Sequence, residues 1–449
     1  MRRSMPGRPF RISLPDFSLV VLLGASGSGK SSFARRHFAP TEVVSSDACR
    51  AAVCDDEADQ TATPDAFALL HFTVERRLAR RRLTVVDATN VQEEARRSLL
   101  ALARQHHVAP VAIVLDLPEN VCVERNRGRS RDVGPQVVAG HRRALGASLA
   151  GLREEGFRHV HILSTPGEVE RVRVERRPLR CDRRPERGPF DIIGDVHGCR
   201  DELLALLLEL GYAIEPGELP VARHPEGRRL VFLGDLVDRG PDTPGVLRLV
   251  MGSVRAGTAL AVPGNHDVKL VRQLRGADVR LSHGLAESVA QLEREPPSFL
   301  PQVADFLDSL VCHYVLDGGA LVVAHAGMKE ELQGRDSGAV RRFALWGDTT
   351  GEIDERGLPV RLDWAADYRG QALVVYGHTP VERAEWMNGT ICLDTGCVFG
   401  GRLSALRYPE RELRSVPARA VHYAALRPLA LPRASEPRAA WPDETDPGA

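Results

Sequence analysis

An apolar run over 17–25 leads straight into Gly24-Ala25-Ser26-Gly27-Ser28-Gly29-Lys30-Ser31, and an amphipathic stretch follows. A G-x-x-x-x-G-K-S turn between a strand and a helix leaves few folds open. Its backbone N–H groups must converge on one point, and the helix N-terminus must add its dipole there. A parallel sheet with helices on both faces supplies that geometry. The expected occupant is ATP with Mg²⁺. Lys30 would reach the β and γ phosphates and Ser31 the cation, with Gly24, Gly27, Gly29 and Ser32 completing the loop. Lysine is scarce, at Lys30, Lys269 and Lys329 only, so its place in this motif is hard to ascribe to chance.

Periodicity extends the reading. Short β-rich runs at 19–23, 43–46, 83–87 and 111–117 alternate with amphipathic stretches at 65–82 and 92–106. That is the pattern of βαβ units over a domain of residues 1–165. Arg2, Arg3, Arg8 and Arg11 ahead of the run 17–25 imitate a signal peptide, but a buried strand feeding the turn fits better. No apolar stretch reaches the ~18–20 residues that span a bilayer, so no membrane partner is expected. The 60 basic and 60 acidic residues cancel, so any anion affinity must come from local patches. Eight cysteines without a C-x-x-C pair read as reduced thiols of a cytoplasmic protein.

Three further strand tips carry chemistry. Ser45-Ser46-Asp47-Ala48-Cys49-Arg50 offers a carboxylate that can accept a hydroxyl proton and an arginine that can hold a phosphate. A helix cap at Asp47 is the competing reading. Asp87, in Val85-Val86-Asp87-Ala88-Thr89-Asn90, can assist Mg²⁺ or serve structure alone. Arg125 and Arg129, four apart, would share a helix face as a lid over ATP, unless they belong to a solvated charge run.

Residues 168–187 hold eight Arg, five acids and two Pro, which reads as an Arg-rich linker over 166–189. An edge strand through Val169, Val172 and Val174, or a basic strip for a polyanion, are the alternatives. A second α/β block over 190–420 repeats strand-then-polar-tip units. A tail over 421–449 follows, expected to be partly disordered, above all over 433–449.

In that second block Asp195-Val196-His197 is followed by Gly234-Asp235-Leu236-Val237-Asp238-Arg239-Gly240 and by Gly264-Asn265-His266-Asp267. Hard oxygen and imidazole donors in this order suit two divalent cations with one shared carboxylate. His325 and His378 each follow an apolar strand. The expected assignment is Asp195 and His197 on one ion, Asp235 between the two, and Asn265, His325 and His378 on the second. Arg239 would grip phosphate oxygens. His266 would protonate the leaving group, oriented by Asp238, and Asp394 would support the site from behind. The mixed nitrogen and oxygen set points to Mn²⁺.

The P-loop, S-S-D-x-C-R, D-A-T-N and E-R-N-R segments together resemble the kinase domain of bacterial polynucleotide kinase-phosphatases, an RNA end-repair family. The resemblance implies Asp47 as general base, Arg50 as acceptor contact, and Arg125 and Arg129 as lid arginines. The second block resembles the calcineurin-like phosphoesterases, which implies a two-sheet sandwich flanked by helices. Together the two likenesses span roughly residues 10–420. They imply an ATP-dependent 5′-OH polynucleotide kinase joined to a 2′,3′-cyclic phosphate and 3′-phosphate phosphatase. The partners would be RNA or DNA 5′-OH and 3′-phosphate ends. A separate ligase is expected to seal them, because no K-x-D-G-type lysine is present, and a homodimer is left open. The alternative joins a nucleotide kinase to a bis(5′-nucleosyl)-tetraphosphatase or a Ser/Thr protein phosphatase.

Overall fold

The run that mimics a leader is the centre of a sheet. Strand Ser18–Leu23 is buried along its whole length, as a parallel strand covered on both faces must be. Leu19, Val21 and Leu23 enter one apolar cluster with Leu70, Val74 and Leu99. Val20 and Leu22 enter another with Phe33, Val85 and Ile113. In this computed structural model residues 11–127, 133–355 and 359–425 are described. Arg129, Arg2, Arg3, Arg8 and the segment 433–449 lie outside them. Two compact units form, the first running to Leu179 and including Arg335–Ser337, the second beginning at Arg180 and taking the rest.

The first unit is a five-stranded sheet in the order Val43–Ser45, Thr84–Asp87, Ser18–Leu23, Ala109–Leu115, His159–Leu163. Every pairing is parallel. The C-terminal ends of the first three strands therefore lie together: Leu22 is in register with Asp87, and Asp87 with Ser45. This is the edge at which α/β sheets bind ligands.

Much of the Arg-rich stretch expected as a linker is built into this unit. Thr165 and Glu168 form a capping box on helix Pro166–Arg171. Strand Arg173–Arg177 pairs in parallel with Arg11–Pro15. Val169, on the helix, and Val172, at its C-cap, are buried in the second cluster, and of the three valines read as an edge strand only Val174 lies in one.

The second unit is a sandwich of two sheets. One runs Ala259–Ala261, Arg229–Phe232, Phe190–Ile193, Arg402–Tyr408, Glu412–Pro417. The other runs Trp386–Met387, Thr390–Cys392, Leu373–Tyr376, Leu321–Ala324, His313–Leu316, Asp182–Arg183. Strand alternation sorts the side chains. Phe190, Ile192, Val231, Val323 and Val375 fill the space between the sheets. Ile193, Leu230 and Phe232 turn outward to the helices Arg200–Glu209 and Thr243–Arg255. Val322 and Val374 turn outward to Phe343 and Trp364.

One buried ion cluster ties this unit together. Asp191, fully buried, accepts from both Nε and Nη2 of Arg228 at 3.0 Å, from Tyr212 at 2.9 Å and from Arg407 at 3.2 Å. The segment from 418 to 425, which runs into the expected tail, continues in contact with the sandwich. Ala418 donates to Gly401 O, and His422 and Tyr423 both donate to Val398 O.

Candidate active sites

In the first unit the P-loop closes tightly. Gly27 has φ +80°, and a Cβ there would strike the Cys122 carbonyl. Lys30 is buried and donates to Gly24 O at 2.8 Å and Ala25 O at 3.0 Å. Asp87 is buried and hydrogen-bonded to Ser31, the pairing expected of a carboxylate that helps place Mg²⁺. Burial raises its pKa, and the Ser31 bond and Lys30 partly oppose that.

The two readings of Asp47 separate cleanly. The cap of helix Ser46–Cys54 is Ser45, whose Oγ accepts from the Ala48 N–H at 3.4 Å. Asp47 sits in the first turn with its side chain 40% exposed and accepts from Arg50 Nη1 at 2.8 Å. Arg50 is buried and also donates to Glu57 O at 2.9 Å, so the 55–57 segment buttresses it. Arg125 lies on helix Glu119–Arg127, its Nη1 3.6 Å from where a Gly29 Cβ would be. That places one lid guanidinium over the loop. Arg129 falls outside the described residues. Ser26, Gly29, Lys30, Asp47, Asp87 and Arg125 all open onto a cavity of about 1410 Å³. Ser31, Ser32 and Arg50 line it too. His141, which the sequence did not single out, lines it as well, 3.5 Å from Ser26 Oγ.

The second unit gathers its candidates at strand tips with strained backbone. His197, Asp235, Asp238, Arg239 and His378 all have positive φ, between 44° and 73°. Non-glycine residues held there cost of order 1–3 kcal/mol each, and they cluster at functional sites. Asp235 Oδ2 lies 3.5 Å from His197 Nε2 and 3.5 Å from His325 Nε2, midway between the two expected ligand groups. The Nδ1 atoms of those rings face Val237 O at 2.8 Å and Leu233 O at 3.0 Å. A carbonyl can only accept, so each Nδ1 carries the proton and each Nε2 offers a lone pair toward Asp235. The His325 lone pair faces both Asp235 and the Asn265 Oδ1, three acceptors that are unfavourable together without a cation among them.

The remaining donors fit the same requirement. Asn265 Oδ1 and His378 Nδ1 lie 3.1 and 3.0 Å from His325 Nε2. Asp195 accepts from the His378 N–H at 3.0 Å through Oδ2, while its Oδ1 is buried without a hydrogen-bond partner. A Cβ on Gly377 would strike that Oδ1, so only glycine leaves it room. Donor atoms of His197, Asp235 and His266, and of Asp235, His325 and His378, each converge within 4.8 Å. The set suits two divalent cations.

Electrostatics agree. Burial, then Asp394 and Asp235, push the Asp195 carboxyl well up. Burial also raises Asp394, to about 6. Burial and Arg239 push the His197 imidazole well down, and burial and Arg361 do so for His378. Asp235 moves the other way: burial opposes ionisation, but His325, His266 and His197 outweigh it and hold the carboxyl below its usual range.

His266 belongs spatially to the donor cluster, yet its Nδ1 is taken by Asp238 Oδ2 at 2.6 Å. Arg239 donates to His266 Nε2 at 2.8 Å and to His197 Nε2 at 2.6 Å, which aims its guanidinium into the site. Asp394 is buried behind Asp195 and accepts from the Gly396 N–H at 3.1 Å. Asp267 locks two motif loops together by accepting from Leu236 N and Gly264 N at 3.0 and 2.8 Å.

Sequence reading missed Arg361. It ends strand Pro359–Arg361, donates to Thr379 Oγ1 at 2.6 Å and feels Asp235, Asp394 and Asp195. No motif surrounds it, so only folding reveals that it faces the same carboxylates.

Residues 19–154 match the family described as AAA domain, and residues 188–401 match the calcineurin-like phosphoesterases. A bis(5′-nucleosyl)-tetraphosphatase PrpE of Anoxybacillus flavithermus is 46% identical, over 51% of this chain and 94% of its own length. The Bacillus subtilis PrpE is 48% identical over the same shares. Among solved structures, a chain of a Pnkp1/Rnl/Hen1 RNA repair complex is 22% identical, over 31% of this chain and 47% of that one, with a TM-score of 0.28. No described helix is long and apolar enough to cross a membrane.

Proposed function

Because this chain belongs to the calcineurin-like phosphoesterases and carries an AAA-type P-loop domain ahead of that half, we propose that it heals nucleic-acid ends. The P-loop unit would phosphorylate a 5′-OH end with ATP and Mg²⁺. The second unit would remove a 2′,3′-cyclic phosphate or a 3′-phosphate with two divalent ions, for which the mixed donor set favours Mn²⁺.

The observation that carries this reading is the cavity of about 1410 Å³ that joins the P-loop to Asp47 and Arg50. Small-ligand pockets span roughly 300–1,000 Å³. The extra room fits an acceptor chain beside the nucleotide. Asp47 would accept the 5′-hydroxyl proton, since its carboxylate is exposed to the cavity and the helix is capped by Ser45 instead. Arg50, held by Asp47 and Glu57 O, keeps an unpartnered buried Nε, fitted to an anionic acceptor oxygen. Arg125 would add charge over the transferring phosphoryl group.

In the phosphatase unit Asp195, His197, Asp235, Asn265, His325 and His378 would hold the ions. Once bound, such a pair supplies Lewis-acid polarisation of the phosphoryl group. Arg239, with Arg361 facing it across the carboxylates, would orient the phosphate oxygens. Asp238 would hold the His266 proton on Nδ1, so in the imidazolium form it is the second proton, on Nε2, that would pass to the leaving alkoxide, leaving the neutral ring. A cytoplasmic protein that hands its products to a separate ligase is part of the same proposal.

A second reading rests on one specific observation, the 46–48% identity to proteins named bis(5′-nucleosyl)-tetraphosphatases. The deciding assay offers [γ-³²P]ATP with a 5′-OH oligonucleotide, an RNA ending in a cyclic phosphate, and diadenosine tetraphosphate. Label on the oligonucleotide and a free 3′-OH on the RNA are expected. No transfer to the oligonucleotide, with efficient cleavage of diadenosine tetraphosphate, would sink end healing in favour of the second reading.

A further inference from the structure

Away from both sites, four metal-binding side chains meet beneath the segment that follows the last strand. Cys199 caps helix Arg200–Glu209, and Glu202 lies in its first turn. The C-x-x-E spacing puts the thiol and the carboxylate on one side of that turn. His422 reaches them from the C-terminal segment, with Nε2 3.0 Å from Glu202 Oε1. Ligand atoms of Cys199, Glu202 and His422 all lie within 4.8 Å of one another. The Cys397 thiol neighbours that of Cys199 and, with burial, raises its pKa, while Cys199 Sγ donates to His197 O at 3.7 Å. Cys199, Glu202 and Cys397 are 0%, 1% and 2% exposed.

From this juxtaposition we propose a third, mononuclear metal site, built from Cys199, Cys397, Glu202 and His422, that takes Zn²⁺ or a cation of similar softness. Two thiolates, an imidazole and a carboxylate form a closed tetrahedral set of the kind structural zinc uses. With Zn–S near 2.3 Å and Zn–N or Zn–O near 2.0 Å, tetrahedral ligand atoms lie about 3.3–3.8 Å apart. The His422–Glu202 distance is already near that range, the spread of at most 4.8 Å among Cys199, Glu202 and His422 closes with small side-chain rotations, and Cys397 would turn in from beside Cys199 as the fourth ligand. Hard Mg²⁺ would not choose a thiol pair, and the six donors of the phosphatase centre include no sulfur.

The surroundings suit a cation. The nearest arginines are already paired, Arg419 with Asp201 at 2.7 Å and Arg200 with Asp242 at 3.4 Å. The Arg419 N–H holds Glu202 Oε1 at 3.0 Å, which fixes the carboxylate as an outer partner of a ligand does. An opening of about 250 Å³, lined by Glu202, His422, Arg419 and Pro241, gives an entry path. Binding would release one proton from each thiol to water and form two metal–sulfur bonds, with no change of oxidation state.

The site would act as a staple. Cys199 is two residues past His197, Cys397 three past Asp394, and His422 belongs to the segment that packs on Val398 O. One ion would pin the last described turn of the chain to both loops behind the phosphatase centre.

Co²⁺ titration of the reduced full-length protein tests this, because thiolate–Co²⁺ charge-transfer absorption reports sulfur ligation and the phosphatase centre has no sulfur donor. A saturable band at one equivalent, displaced by Zn²⁺, is expected. It should vanish in Cys199→Ser and persist in Asp235→Asn. In His422→Ala, which changes only a half-buried side chain, Co²⁺ affinity should fall roughly tenfold or more, since even outer-shell partners of metal ligands are worth 10–100-fold. No thiolate band in the wild type, a band that survives Cys199→Ser, or unchanged affinity in His422→Ala would each overturn the proposal.

Discussion

The two units handle phosphate with opposite designs. In the P-loop unit the working groups stand around a broad cavity: Asp47 is 40% exposed, and Ser31, Ser32 and Arg125 also reach solvent. Its buried cations, Lys30 and Arg50, stand beside exposed side chains at the cavity wall. In the phosphatase unit Asp195, His197 and Asp235 are each 3% exposed and His325 is fully buried. Left-handed backbone and carbonyl hydrogen bonds hold them in place. A site that must admit a nucleotide stays open. A site that must gather like charges around cations is sealed and held by the fold. The difference teaches where each unit is fragile: the first in single contacts to substrate, the second in the scaffold behind its donors.

The sharpest test of that contrast is double dissociation. Lys30→Ala should abolish phosphoryl transfer from ATP, and Asp235→Asn should abolish phosphatase turnover. Each loss should be of order 10²–10³ or more in rate, with the other activity left near wild type. Separate steady-state assays on both variants measure it, and an effect that spreads to both activities would break the comparison.

Scaffold fragility comes next. Asp191→Ala takes from the buried Arg228 guanidinium one of its two carboxylate partners, leaving Glu410, and about 1–3 kcal/mol of phosphatase-unit stability should be lost. Denaturant unfolding followed by Trp fluorescence would show it, since Trp346, Trp364, Trp386 and Trp441 all belong to the second half. A loss below about 1 kcal/mol would mean the cluster is not what stiffens the unit.

Asp238→Asn should cost less, about 10–100-fold in phosphatase kcat, because it removes the partner that orients His266 without touching a ligand. KM should stay within a few-fold, and a change confined to KM would instead make Asp238 a substrate contact.

The smallest effect belongs to the open unit. Glu42 meets Arg176 through two bonds of 2.6 and 2.7 Å. Burial opposes ionisation of Glu42, but the Arg176 bonds prevail and lower its pKa. Its contribution is therefore present above the unfolded value near 4.3 and fades as pH falls through the lower folded value. Both groups are partly exposed, so about 0.5 kcal/mol or less is at stake. Glu42→Gln should remove that acid-range slope from stability measured against pH, and an unchanged slope would discount the pair.

Local chemistry explains how much was legible. G-x-x-x-x-G-K-S, D-x-H, G-D-x-x-D-R-G and G-N-H-D are contiguous because a turn needs adjacent residues, so the fold class and the principal donors can be read from the chain. The linker reading failed at Val169 and Val172 because an Arg-rich stretch with a few valines looks solvated until a neighbouring strand buries them. The first residues of the 421–449 tail show the same limit, since His422 and Tyr423 are held by the distant Val398 carbonyl.

Sequence alone determined that this protein has a P-loop sheet followed by a calcineurin-like phosphoesterase half, and it proposes Asp235 as the shared carboxylate. Tertiary structure alone decided that Ser45 and not Asp47 caps its helix, and that Arg361 faces the donor carboxylates. It also brought Cys199, Cys397, Glu202 and His422 together across more than 200 residues of chain. The physical reason is range: backbone turns encode their needs within a few residues, whereas the burial that sets a charge, a pKa or a ligand shell comes from strands and loops far apart in sequence.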